Sequence, residues 1–91
     1  MKDMSIDVYE RRPVYLHAII KDDELTIVSN VFGEHFDSEK TYSFTKDQTD
    51  RLFKLMKLED FIKTLREKDI EWMEEYLKEV NIKPATFVWV S

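Results

Sequence analysis

Between Tyr42 and Met56 the apolar residues change their period from two to about 3.6, and no single regular element satisfies both spacings. Tyr42 and Phe44 alternate with Ser43 and Thr45, as in a half-buried strand. Leu52, Leu55 and Met56, widened by Phe53, fall on one stripe of a helix. The joint is Thr45. Its hydroxyl can accept a backbone N–H, and Gln48, three residues on, has the capping-box spacing to reach back. What precedes this joint reads as strand, and nearly all that follows reads as helix.

Met4, Ile6 and Val8 alternate with Ser5, Asp7 and Tyr9, which predicts a first strand over residues 4–9. After Pro13, the run from Val14 to Ile20 is apolar on both faces and reads as a central strand. Lys21 to Glu24 form a polar break of hairpin length before the alternating strand 25–32, so these two strands should pair antiparallel. Gly33 to Lys40 reads as an acidic loop, leading to a short strand from Thr41 to Phe44. No Gly or Pro lies between Lys46 and Lys83, so helix breaks must be read from phase. Leu52, Phe53, Leu55 and Met56 point about 150° away from Leu58, Phe61, Ile62 and Leu65, which places a break near Lys57 to Glu59 and a second helix to about Glu67, a single helix over 46–67 buried on two sides being the alternative. A further helix is expected from Asp69, its N-cap, with Ile70, Met73, Tyr76, Leu77 and Val80 on one stripe and Trp72 at the margin. Asn81 and Pro84 end it, and residues 85–90 are strand-prone. The expected fold is α+β: one domain over 1–91, with an antiparallel sheet of four or five strands and two or three helices packed on one face, in the order β-β-β-β-α-α-α-β.

Ninety-one residues leave room for one core, and 43% hydrophobic residues with 13% aromatics suffice to build it. With no cysteine, disulfides and thiolate chemistry are excluded. No stretch resembles a signal peptide or a membrane span, so a cytoplasmic location is expected. One glycine, Gly33, leaves no phosphate-cradling loop, and no hydrolase, zinc-protease or EF-hand spacing occurs. The chain is therefore expected not to be an enzyme and to hold no cofactor or metal. His17 lies in the most apolar strand and reads as a hydrogen-bonded sheet residue. His35, beside Glu34 and Asp37, reads as a solvated loop residue, since a dedicated metal site needs three or four ligands.

The net charge of −5 is distributed in blocks. Residues 22–39 carry six acids and no base, residues 51–66 carry a net +3, and residues 67–79 a net −4. The acidic blocks oppose the field that would hold nucleic acid against Arg51, Lys54, Lys57, Lys63 and Arg66. Outward charges on a helix ordinarily keep it solvated. The functional alternative is an electronegative surface for a basic protein partner, formed by Asp69, Glu71, Glu74, Glu75 and Glu79 with the hairpin acids Asp22, Asp23 and Glu24, and with Trp72 as an aromatic anchor. A homodimer is also open, through Phe87 to Val90 or the Val14 to Ile20 strand.

The segments LTIVSNVFGE, YSF followed by TDRLFKLM, and EEYLKEVNIKPATFVW, with Gly33, Tyr42 and the Asn81-Ile82-Lys83 exit, resemble a family of small uncharacterised bacterial proteins, mostly from Gram-positive organisms. Some of these are encoded beside polymorphic toxins and regarded as immunity proteins. The resemblance spans residues 25–91 and implies a stoichiometric protein binder, without transferring any site residue. A small acidic protein-binding module of the immunity or inhibitor type is the leading expectation. A homo-oligomeric structural domain and an enzyme of unrecognised type are the alternatives.

Overall fold

Lys21 faces Glu24 across a hairpin, with only Asp22 and Asp23 between them, both at positive φ (53° and 62°). This is the two-residue turn whose backbone twist matches that of the strands it joins, and aspartate is among the residues that tolerate it. The structure, a computed structural model, describes residues 1–90. Its elements are β1 (Met4–Arg11), β2 (Val14–Lys21), β3 (Glu24–Phe32), β4 (Asp37–Ser43), α1 (Lys46–Leu55), α2 (Leu58–Glu79) and β5 (Ala85–Val90). The five strands form one sheet in chain order, every neighbouring pair antiparallel, so the fold is α+β. The expected pairing of β2 with β3 is present over the full length of β2 and over Glu24 to Val31 of β3.

One face of the sheet carries the core. Val8, Leu16, Ala18, Ile20, Leu25, Ile27, Tyr42 and Phe44 are buried there against Leu52, Phe61, Ile62, Leu65, Met73 and Leu77 of the helices, with Ile82 closing the end. Alternation along β2 and β3 places Tyr15, His17, Ile19, Thr26, Val28 and Asn30 on the opposite face, which the helices do not cover.

Two expectations need correction. The fourth strand starts at Asp37 rather than Thr41, so half of the expected acidic loop is strand. Its composition, DSEKTYS, hides this, but pairing with β3 on one side and β5 on the other satisfies its backbone whatever its side chains prefer. The helices number two rather than three, giving β-β-β-β-α-α-β. The break inferred from phase near Lys57 to Glu59 is present slightly earlier, at Met56 and Lys57, with α2 starting at Leu58. The third helix is instead the second half of α2, continuous with the first except at Asp69, whose backbone (φ 72°, ψ −178°) leaves the helical region. Phe61, Ile62 and Leu65 point about 90° away from Met73 and Leu77 on an ideal helix, so this one non-helical residue resets the phase and turns both halves toward one core.

The Thr45 joint is a network. Thr45 Oγ1 accepts from Gln48 N at 3.1 Å, and Gln48 Oε1 accepts from Thr45 N at 2.9 Å, completing the capping box. Gln48 Nε2 donates onward to the Lys83 carbonyl at 2.7 Å, tying the start of α1 to the approach to β5. One turn later Thr49, fully buried, donates to the Thr45 carbonyl at 2.8 Å and accepts from Leu25 N at 3.0 Å. Replacing Thr49 with Val would keep the shape but leave Leu25 N–H buried without a partner. Thr49→Val is expected to lower unfolding free energy by about 1–3 kcal/mol in urea titration, and Thr45→Ala by about 1 kcal/mol. An unchanged midpoint for Thr49→Val would show that the hydroxyl does not fasten helix to sheet.

Candidate protein-interaction surface

The acids singled out from the sequence fall into three environments. At the β2–β3 turn, Asp23 is held by the Met1 amino group at 2.9 Å and by Lys46 at 3.8 Å, while Asp22 and Glu24 are exposed. The amino group beside it holds the Asp23 carboxyl below its ordinary range, and the amino group is itself raised. On α2, Asp69 and Glu74 are half-buried and engaged by side chains of the sheet, with the Glu74 side chain still 42% exposed. Asp69 Oδ1 accepts from the Tyr9 hydroxyl at 2.5 Å and from Ile70 N at 2.9 Å, and Glu74 Oε1 accepts from the Tyr42 hydroxyl at 3.1 Å, with Lys40 at 4.0 Å. Only Glu71, Glu75 and Glu79 are exposed, one per turn on one stripe, and none makes an ion pair among the described residues. No hydrogen bond or ion pair joins the turn acids to the helix acids among the described residues. Trp72 belongs to the packing: half-buried, it stacks on Tyr76 at 5.3 Å and meets Phe61 at 5.7 Å.

His17 sits mid-sheet on the uncovered face, its ring 5.0 Å from Tyr15 and its Nε2 3.5 Å from Asn30 Nδ2. The Tyr15 hydroxyl donates to Asp7, and that bond raises its pKa. His35 is exposed in the β3–β4 connection. Among the described residues, no three His, Asp or Glu side chains gather as metal ligands, and no helix is long and apolar enough to cross a membrane.

The most exposed apolar side chains lie elsewhere. All six residues of β5 are exposed, including Phe87 (62%), Val88 (66%), Trp89 (57%) and Val90 (59%). The register places Phe87 and Trp89 on the uncovered face, opposite Thr41 and Glu39, and Val88 and Val90 on the helix side, opposite Lys40 and Ser38. Val31, Phe32 and Phe36 extend this apolar surface around the same end of the sheet, since Val31 pairs with Ser38 and Ser38 with Val90. A groove of about 300 Å³ runs beside β5, between Thr86 and Tyr42 on the sheet and Glu74 and Leu77 on α2. Ser38, Glu39 and Lys40 of β4 lie between β5 and the group around Val31, but exposed apolar side chains gathered at one end of a sheet are the kind of surface that monomers seldom leave bare. The spacing ATFVWV reads as a strand apolar on both faces, but whether helices cover either face depends on where α2 ends.

Sheet order leaves β1 and β5 at the edges, and the two edges differ. Along β1 the register slips between Asp7 and Tyr9, a bulge that breaks the ladder. There Arg66 of α2 donates to the Val8 carbonyl at 2.6 Å and to that of Asp7 at 3.4 Å, while Arg11 stacks on Tyr9 at 4.3 Å and donates to the Arg66 carbonyl at 2.6 Å. This edge is bulged, charged and occupied. β5 has no charge, no proline and no bulge. Comparison with protein-family models, with curated proteins and with solved structures finds no match to this chain.

The Tyr9–Asp69 bond at the kink gives a pH signature. Burial, then the Asp69 bond, pushes the Tyr9 hydroxyl up from 10 to about 12. The folded state thus favours the protonated phenol, and this stabilisation is complete below about pH 10 and lost as pH rises through about 12. Tyr9→Phe is expected to be less stable than the parent at neutral pH but to lose less stability between about pH 10 and 12, read from urea midpoints across that range. Parallel declines in the two proteins would dismiss the assignment.

Proposed function

We propose that this chain is a stoichiometric protein-binding module, and that it binds by adding a strand to the open edge of β5. The observation that carries the reading is the concentration of its most exposed apolar side chains on an unguarded edge strand. An edge strand offers unpaired backbone donors and acceptors, and its alternating side chains give two faces for selectivity. Phe87 and Trp89 on one face are the aromatic type that carries interface energy. An immunity or inhibitor role is one form of this reading, and it rests on the resemblance of residues 25–91 described above.

A second reading has its own observation. Glu71, Glu75 and Glu79 form an exposed acidic stripe, without ion pairs among the described residues, that suits a basic partner. Glu74 is not part of it, because its carboxylate is engaged by Tyr42 and Lys40.

Photocrosslinking separates the readings. With a benzophenone side chain at position 89 or position 75, living cells should yield a covalent protein adduct of defined mass from position 89 and none from position 75. Adducts from position 75 alone would favour the acidic stripe. Reversing Glu71 and Glu75 to Lys would then slow association and flatten its salt dependence, with stability changed by no more than about 0.5 kcal/mol. Silence at both positions would reject both readings.

A further inference from the structure

Resting on the strand-addition reading, we infer that the occupant of the β5 edge is β5 of a second copy, the two sheets running on as one ten-stranded antiparallel sheet about a two-fold axis centred on Val88. Residues directly opposite in an antiparallel pair lie on the same face, and a two-fold axis normal to the sheet maps each face onto itself. Centring on Val88 overlaps Thr86 to Val90, as many residues as centring on Phe87 would (Ala85 to Trp89), and is favoured because it sets both aromatics of each copy against aromatics. It sets Phe87 against Trp89 of the second copy on the uncovered face, twice. On the helix side it sets Val88 against itself, flanked by Thr86 against Val90. Aromatic pairs and β-branched pairs are the cross-strand combinations that stabilise sheets.

Three observations point to a second copy rather than a foreign chain. β5 is uncharged and self-complementary in this register, so no like charges meet across the axis. The opposite edge is closed by its bulge and by Arg66, so pairing through β5 stops at two copies instead of propagating into fibres. The exposed areas suit a modest dimer. At these exposures, the four large β5 side chains offer on the order of 400 Å² per copy. The total lies below the roughly 1,200 Å² of standard interfaces and in the range of weak, reversible ones. Because each copy carries a net −5, added salt screens their repulsion and tightens the dimer. A basic partner on the α2 stripe would loosen with salt instead.

Sedimentation equilibrium of the purified chain from about 1 to 500 µM spans the affinities such an interface allows. The parent should shift from monomer toward dimer, more so at high salt, with Trp89 fluorescence moving to the blue as it leaves water. Val88→Lys and Val88→Glu should each keep the parent circular dichroism and weaken self-association more than about tenfold, because like charges would face each other across the axis. Mixed in equal amounts, the two variants should recover a dimer containing one of each. That recovery requires the two copies of position 88 to approach each other across the axis, as pairing of β5 with β5 places them. A parent that stays monomeric throughout the range, variants that dimerise as the parent does, or a mixture that stays monomeric would each overturn the proposal. A monomeric parent combined with a foreign adduct at position 89 would overturn the second copy while leaving the strand-addition reading standing.

Discussion

A single buried hydroxyl, that of Thr49, sits between the backbone of β3 and the first turn of α1. It answers Leu25 N–H, which begins the strand after the Asp22–Asp23 turn, and the Thr45 carbonyl, which begins the helix. Unpaired, Leu25 N–H would oppose burial of the core around it, because a buried amide without a partner costs more than a typical hydrogen bond returns, whereas the Thr45 carbonyl also accepts from Thr49 N at 2.8 Å. The neighbouring Gln48 extends the same network to Lys83 and so fixes where β5 enters the sheet. Three segments distant in sequence are thus brought to one corner. The positions of the helices over the sheet, and of the last strand beside β4, follow from that corner.

Much of the fold was legible because it follows from periodicity. The alternation of β1 to β3, the capping box at Thr45 and the phase break near Lys57, read one or two residues late, each depend on residues close in sequence. β4 was half hidden. Asp37 to Lys40 have no strand preference, and their conformation is imposed by β3 and β5 on either side. The kink was half visible. Asp69 does mark the start of a new helical stripe, but as a residue outside helical geometry inside one continuous α2, a distinction that lies in φ and ψ and not in side-chain type. Similarly, Asp22 and Asp23 read as a polar break, while their left-handed backbone emerges only with the register.

The surface was harder to read than the core. Eight carboxylates and one tryptophan looked like a candidate partner site, yet pairing divides them. Asp23 answers cations at the turn, Asp69 and Glu74 answer tyrosine hydroxyls of the sheet, and Trp72 fills the space between Phe61 and Tyr76. Composition gives the charge of a helix face, but it does not say which charges the protein spends on itself. The apolar β5 presents the reverse case. A run such as Phe87 to Val90 would ordinarily be assigned to the interior, and only the sheet order and the end point of α2 leave it in solvent.

That position also bears on the order in which the molecule is assembled. β1 to β4 form a meander of local hairpins, each strand meeting the one just before it, whereas β5 reaches β4 only after the whole helical segment has been laid down. Pairings distant in sequence carry the larger loop-closure cost and come late. A late strand with few apolar contacts is also the segment with the least free energy holding it closed. The four-stranded meander with its helices is therefore a platform onto which β5 anneals. The annealed strand is the shallowest part of the native basin, and any chain that pairs with its outer edge deepens the basin there before it touches the core.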